Sequence, residues 1–436
     1  MAELPVSRTS GSMRACRGRA RLAALLVALA ATGCGAARPE EVRNPSPAPL
    51  PAQFFGMHVH HYPSKTPWPA VRFGSWRLND RFALWSSLEP ERGRWDFRAL
   101  DSVVEAAAAR GVEIVLVLGH PPQWASARPN EKSAWGPGQA AEPRDSADWE
   151  NFVRTVATRY RGRIRHYEVW NEPNWDTFFS GRVDQMVALA RAAHRILKEI
   201  DPSIVVVSPS ATYESGVEWL DRYLAQGGGA YADAIGFHFY VIPGTPEDMV
   251  GRVRAVREVM ARHGAAAKPL WNTEFGWLFA NRATHFRPEE AGFPKYARIL
   301  AGDEAGAYVA RSLVLGAASG MARFHWYAWD DGALGLVEPP AFAELKVPAR
   351  AYERVSGWLA GRRIESCARR GAIWTCAGSG PGDERFRIVW STDAGPAALD
   401  LAQDWGVRRV EALDGGVREV AGPTRIEVTG APVLLR

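Results

Sequence analysis

Between residues 54 and 360, short apolar runs alternate with stretches whose apolar positions recur every three to four residues. Apolar runs bounded by Gly, Pro, Asn or Asp read as strands, and the longer period reads as helix. Eight strands are predicted, at 54–62, 70–78, 112–119, 164–170, 203–210, 234–240, 269–275 and 322–329. Helices are predicted at 98–111, 146–162, 183–200, 216–226, 247–263, 303–319 and 348–360. Three of them end at or next to Gly111, Gly264 and Gly320, the residue type that best closes a helix. The third strand, 112-VEIVLVLG-119, is apolar almost throughout, as a strand covered on both faces must be.

Eight strands alternating with these helices over residues 52–360 predict an α/β fold, a (β/α)₈ TIM barrel. An open doubly wound sheet would need a Gly-rich phosphate loop after its first strand, and His58-Val59-His60-His61-Tyr62 stands there instead. Residues 361–436 change character: short alternating segments at 385–391, 407–413 and 424–430, separated by Gly, Pro and Asp, predict a small C-terminal β-sandwich. This appendage holds no catalytic constellation, and a bracing role is expected of it.

The first 33 residues read as an export signal: Arg14, Arg17, Arg19 and Arg21 precede the apolar run 22–31, too short to span a bilayer. The run ends at Thr32-Gly33-Cys34, which resembles a bacterial lipobox with Cys34 as the lipidated residue. Ala31 stands where such boxes usually carry Leu, and a plain secretory signal is the alternative. Residues 34–51, rich in Pro, read as a tether. The expectation is an exported protein, periplasmic or on the outer surface, that meets the membrane only through an N-terminal lipid anchor. Cys367 and Cys376 flank a plausible hairpin, and an oxidising compartment would let them pair.

The composition, 47% hydrophobic and 23% charged, is that of a globular chain. The formal charge of +5 comes from the leader, whose five Arg and one Glu leave about +1 for the rest, so no nucleic-acid partner is expected. Eighteen Trp residues suggest aromatic surfaces for flat ligands such as sugar rings.

Conspicuous polar and aromatic residues gather at the carboxyl ends of the predicted strands, where barrels place their chemistry: His58, His60, Arg77, His120, Trp124, Asn171, Glu172, His238, Tyr240, Glu274, Trp326 and Trp329 among them. In 167-YEVWNEPNW-175, Pro173 biases Glu172 away from helix and sets its carboxylate at the strand-to-loop junction. Glu274, in 269-PLWNTEFGW-277, holds the matching place on the seventh strand. Two such carboxylates are what cleavage of a glycosidic bond requires.

These motifs carry a family resemblance. With 238-HFY-240, 326-WYAWDDG-332 and 118-LGHPPQWAS-126, the segments 168-EVWNEPN-174 and 271-WNTEFGW-277 resemble those of clan A glycoside hydrolases, nearest to family 39, over residues 54–360. The resemblance implies a retaining enzyme acting on a β-linked oligo- or polysaccharide, with Glu172 as acid/base, Glu274 as nucleophile, and no cofactor or metal. The physics agrees: carboxylates about 5–5.5 Å apart suit retention, whereas inversion needs about 6.5–9.5 Å. Asn171 would bond the sugar 2-hydroxyl, Arg77 would hold Glu274 ionised, with Arg72 as its rival, and Tyr240 would donate to Glu274. His238 would touch sugar or Glu172, and Trp326 or Trp329 would lie under the sugar. His120, Trp124 and Trp170 are further pocket candidates. Two other readings stand beside this one: a non-catalytic glycan-binding lipoprotein, and a metal-dependent hydrolase using His58, His60, His238 and Asp330.

Overall fold

The computed structural model describes residues 40–420 and 424–436. The leader 1–33, Cys34 and the first part of the Pro-rich stretch lie outside the described residues. A short strand, β1 (Glu40–Arg43), precedes the barrel. The barrel strands are β2 (Phe55–Met57), β3 (Ser75–Leu78), β4 (Glu113–Leu118), β5 (His166–Val169), β6 (Val205–Val207), β7 (Ala211–Thr212), β8 (Ile235–His238), β9 (Leu270–Phe275) and β10 (Met321–Trp326). They pair in parallel in the order β6-β5-β4-β3-β2-β10-β9-β8-β7.

Nine strands make eight staves because β6 and β7 are two halves of the fifth. Ser208-Pro209-Ser210 separates them, and Pro209 has no N–H to give a ladder. A parallel bridge between Val207 and Ala234 joins β6 to the approach of β8 and closes the ring. The fold is a (β/α)₈ barrel.

Strand alternation sorts the side chains. Trp76, Leu78, Ile114, Leu116, Tyr167, Val169, Ile235, Phe237, Phe324 and Trp326 belong to the main apolar core shared with the helices. Their neighbours Arg77, Glu168, His238 and His325 point inward and are fully buried. On the barrel floor the His325 ring meets Ser75 Oγ at 3.1 Å and the Asn272 carbonyl at 3.2 Å. A Cβ on Gly56 would sit 2.3 Å from that ring, so this position admits only glycine. Arg323 closes the floor, bonded to Glu113 at 2.6 Å and lying over Trp271.

The C-terminal strands are β11 (Arg363–Arg370), β12 (Ile373–Ser379), β13 (Arg385–Ser391), β14 (Ala397–Asp400), β15 (Arg409–Ala412), β16 (Val417–Glu419), β17 (Arg425–Val428) and β18 (Val433–Leu435). They form a seven-stranded antiparallel sheet, β1-β11-β12-β13-β18-β15-β16, faced by the pair β14-β17. Val389, Val410 and Leu435 of the sheet enclose a small core with Leu401, Ile426 and Val428, which makes a sandwich. The other face of the sheet, with Ile364, Trp374, Phe386, Ile388 and Trp390, merges with the core of the barrel. Trp374 and Trp390 stack at 5.6 Å, and Trp390 Nε1 donates to Glu247 Oε1 at 2.8 Å. Cys367 and Cys376 stand opposite each other on β11 and β12 and are disulfide-bonded.

One stretch differs from the sequence-based expectation. Residues 34–51 read as a tether, yet β1 lies within them: Val42 pairs with Cys367 and is buried. Asn44 Nδ2 donates to the carbonyls of Ala317 and Ile364, so the folded body includes residues from Glu40 onward. Four residues are too few to show a strand period amid so much proline.

Because its tryptophans share the barrel's core, the sandwich should not unfold on its own. Trp390→Ala should cost roughly 3–5 kcal/mol, as large aromatic truncations in cores do. Calorimetry should show one lowered transition for the whole body, not a separate early melting of the sandwich.

Candidate active site

At the carboxyl end of β5 the chain turns sharply. Trp170 and Glu172 both have positive φ, 74° and 44°, on either side of Asn171. Pro173 biases Glu172 away from right-handed helix, and the backbone there is left-handed. Such a conformation persists only where its surroundings over-determine it. Here Glu172 N–H donates to Ser210 O at 2.8 Å, Trp170 N–H to Leu118 O at 2.8 Å, and the buried Trp170 ring donates to Phe178 O. The turn lifts the Glu172 carboxylate over the mouth of the barrel.

Glu274, near the end of β9, faces it. One oxygen of each carboxylate and one nitrogen of His238 lie within 4.8 Å of one another. His238 Nδ1 is 2.9 Å from Glu172 Oε1 and 3.9 Å from Glu274 Oε1. Side-chain exposures of 14% for Glu172 and 12% for Glu274 leave both accessible from the cleft.

Below them Arg77 is wholly buried. Its Nε and Nη2 grip both oxygens of Glu168 at 2.7 Å, Nη2 also donates to Asn171 Oδ1 at 2.8 Å, and Nη1 donates to Glu274 Oε2 at 3.0 Å. Tyr240 donates to the other Glu274 oxygen at 3.1 Å. Glu274 is thus bonded by a cation and a phenol hydroxyl, whereas the partners of Glu172 are His238 and the Thr212 hydroxyl, neither of them a cation. Burial pushes Glu172 up to about 7, Arg77 opposing the rise and Glu168 adding to it. Burial also raises Glu274, against the pull of His238, Arg77 and the Tyr240 hydroxyl. Burial pushes His238 down to about 4, so its ring is neutral at physiological pH. The arrangement sets a carboxyl pushed up to about 7 opposite one that the Arg77 cation holds directly.

The cleft has two lobes that meet at this pair. One, of about 820 Å³, is walled by aromatic rings that include Trp175, Phe178, Tyr213, Phe286 and Phe293. The other, of about 490 Å³, is walled by His60, Asn79, Asp80, Trp135 and Asn171, among others. Tyr327 borders both.

Of the residues picked from sequence, Glu172, Glu274, Asn171, Arg77, His238 and Tyr240 come together here. Four others do not line either lobe. Trp326 is fully buried, stacked on Phe279 and edge-on to Phe275, and Trp329 is also in the core. Strand parity is the reason: Phe324 and Trp326 face the helices, so the ring that reaches the cleft is Tyr327. His120 is buried between Trp135 and Trp170 as a supporting layer. Trp124 donates to Glu89 O beneath the Arg92 guanidinium, away from the cleft. Arg72 is exposed and touches neither carboxylate.

The metal-binding set does not assemble. His58 Nε2 meets the Thr273 carbonyl, and His60 Nδ1 meets Asp80. The Asp330 carboxylate accepts the backbone N–H groups of His60 and His61. Sequence reading also missed residues. Glu168 had a signal, an acidic side chain at an inward strand position that demands a buried cation. The His60–Asp80 pair, at 2.5 Å, had none, since twenty residues separate them. Burial alone would lower His60; the charge and hydrogen bond of Asp80, with Asp330 and Asp331 nearby, raise it to about 9.

Comparison with known proteins follows the same line. Residues 133–302 match the glycosyl hydrolase catalytic core family, and residues 78–142 match a beta-galactosidase family. Endo-1,4-beta-xylanase 5 of Arabidopsis thaliana is 26% identical over 223 residues, 48% of this chain and 36% of that protein. A beta-xylosidase of Caldicellulosiruptor saccharolyticus is 25% identical over 178 residues, 39% of this chain and 36% of its own length. The chain thus spans about a third of these curated relatives. Among solved structures, a family 39 glycoside hydrolase from Bacteroides cellulosilyticus superposes with a TM-score of 0.68 at 18% identity, covering 88% of this chain and 81% of that one. A monomeric beta-xylosidase of Caulobacter crescentus gives 0.63 at 18% identity, covering 89% and 97%. Part of the chain thus matches a glycosyl hydrolase catalytic core, and its barrel is the fold that these solved glycoside hydrolases share.

Proposed function

We propose that the chain is a retaining glycosidase that cleaves β-linked glycans by double displacement, with Glu274 as nucleophile and Glu172 as acid/base. The observation that carries this is the facing of two carboxylates within 4.8 Å, one held by Arg77 and Tyr240, the other bonded to a neutral histidine and the Thr212 hydroxyl. An inverting pair would need about 6.5 Å or more to admit a water between carboxylate and sugar.

In the first step a Glu274 oxygen bonds to the anomeric carbon while the glycosidic C–O bond breaks. The departing oxygen keeps the electron pair and takes the Glu172 proton. With Glu274 esterified its charge is gone, and Glu172 ionises more readily. In the second step Glu172 takes a proton from water, the water oxygen bonds to the anomeric carbon, and the ester bond breaks to restore the Glu274 carboxylate. Two inversions give net retention. Glycans of the xylan type head the list of substrates, on the names of the relatives, and a cleft running to both sides of the pair supports cleavage within a chain. Export and anchoring through Cys34 belong to the same proposal, and the Cys367–Cys376 disulfide agrees with an oxidising compartment.

The first product seen by NMR should be the β-anomer. Glu274→Ala should abolish turnover, and azide should restore it with an α-glycosyl azide as product; a β-azide would instead name Glu274 the acid/base. A folded chain that binds xylo-oligosaccharides and releases no reducing ends would favour the non-catalytic reading.

Glu172 must be protonated for the first step, so activity should be present below its pKa and lost as the pH rises through about 7. Glu172→Gln should remove that alkaline limb and slow cleavage of poor leaving groups by about 10²–10⁴-fold. Substrates with a nitrophenol leaving group should be affected far less in the first step. For the anchor, radiolabelled palmitate should enter the full chain and not a Cys34→Ala variant.

A further inference from the structure

The two lobes of the cleft differ in a way that the reaction alone does not require. None of the side chains lining the aromatic lobe has a buried polar atom without a hydrogen-bond partner. The smaller lobe has five: His58 Nδ1, His60 Nε2, Asn79 Oδ1, Asp80 Oδ2 and Trp135 Nε1. Buried polar groups without partners each cost about 1–3 kcal/mol, and a protein keeps a cluster of them where a ligand completes their bonds.

His60 and Asp80 are the best fixed of the five. Asp80 is 6% exposed, and its Oδ1 receives His60 Nδ1–H at 2.5 Å. The His60 backbone is tied to Asp330 Oδ1 at 2.7 Å, and its ring packs against Tyr327 at 4.9 Å. The bond between them fixes what remains free: an acceptor, Asp80 Oδ2, beside a donor, His60 Nε2–H. A donor and an acceptor held side by side match two neighbouring hydroxyls of a sugar ring.

The charge balance limits which sugar. Asp80, Asp331 and Glu274 line the lobe beside the Glu172 general acid, and Asp330 stands behind it. Against them stand the His60 imidazolium and Arg81, whose guanidinium donates to Trp135 O. Arg77 is spent on Glu168 and Glu274, and His58 is held neutral by burial. A carboxylate-bearing sugar would meet excess negative charge.

We propose that the smaller lobe holds the glycone, that the His60–Asp80 pair determines specificity by bonding two adjacent hydroxyls of it, and that the glycone is neutral, not a uronate. This rests on the glycosidase reading above. The side is assigned because the reacting ring needs hydroxyl contacts that tighten in the transition state. The smaller lobe offers buried donors and acceptors whose bonds are still open, whereas the aromatic lobe mainly offers ring faces to which a leaving sugar can stack.

The test uses the full chain with 4-nitrophenyl β-glycosides, so that the leaving group stays constant. The panel is the xyloside, the glucoside, the glucuronide and the monodeoxy xylosides. The wild type should prefer the xyloside over at least one deoxy analogue by roughly 10–100-fold in kcat/KM, and the glucoside over the glucuronide by about 10-fold or more. In Asp80→Asn and His60→Leu the deoxy preference should fall towards one, and His60→Gln, which keeps a donor, should restore part of it. Circular dichroism and melting temperature confirm that each variant is folded. Unchanged deoxy ratios in both variants, a wild-type preference for the glucuronide, or equal loss of turnover on every glycone in folded variants would each overturn the proposal. A wild type inactive on the whole panel and on β-linked oligosaccharides would instead overturn the glycosidase reading itself.

Discussion

The structure of the site depends on one buried guanidinium. Arg77 comes from β3 and reaches three partners: Glu168 on β5, Asn171 just beyond it, and Glu274 on β9. A charge taken so far from water is tolerable only when its donors are satisfied, and the rigid fork of Arg meets that need better than Lys could. Glu168 supplies the full counter-charge. The guanidinium can therefore touch Glu274 with one nitrogen without neutralising it completely. The same cation fixes the Asn171 amide and so the backbone turn that carries Glu172. Removing either Arg77 or Glu168 would leave an unpaired charge in the barrel, at a cost of about 3–5 kcal/mol.

That arrangement explains how two residues of one type come to differ. Glu172 and Glu274 share burial and face each other, so what separates them is that Glu274 bonds the Arg77 cation and Glu172 bonds neutral groups. His238 sits nearer to Glu172 and, being neutral, does not hold it ionised. The difference lies in the scaffold and exists before any substrate binds.

Much of this was legible in the amino-acid order. The eight staves show as apolar runs because the strands are covered outside by helices, and the glutamates show because proline and tryptophan fence them at strand ends. The limits were equally physical. Trp326 looked like a cleft residue because it lies at a strand end, but the period of two assigns it outward and brings Tyr327 in. The β1 segment hid among prolines. The His60–Asp80 contact depends on how two neighbouring loops fold over the barrel rim, and no local pattern encodes that.

The β1 strand bears on how this protein can be trimmed. It occupies one margin of the seven-stranded sheet, where β11 would otherwise present a row of free backbone N–H and C=O groups. A chain begun at residue 52, where the barrel alone would suggest a start, would uncover that row. Other chains could then add to it strand by strand, and aggregation, not loss of chemistry, would be the first symptom.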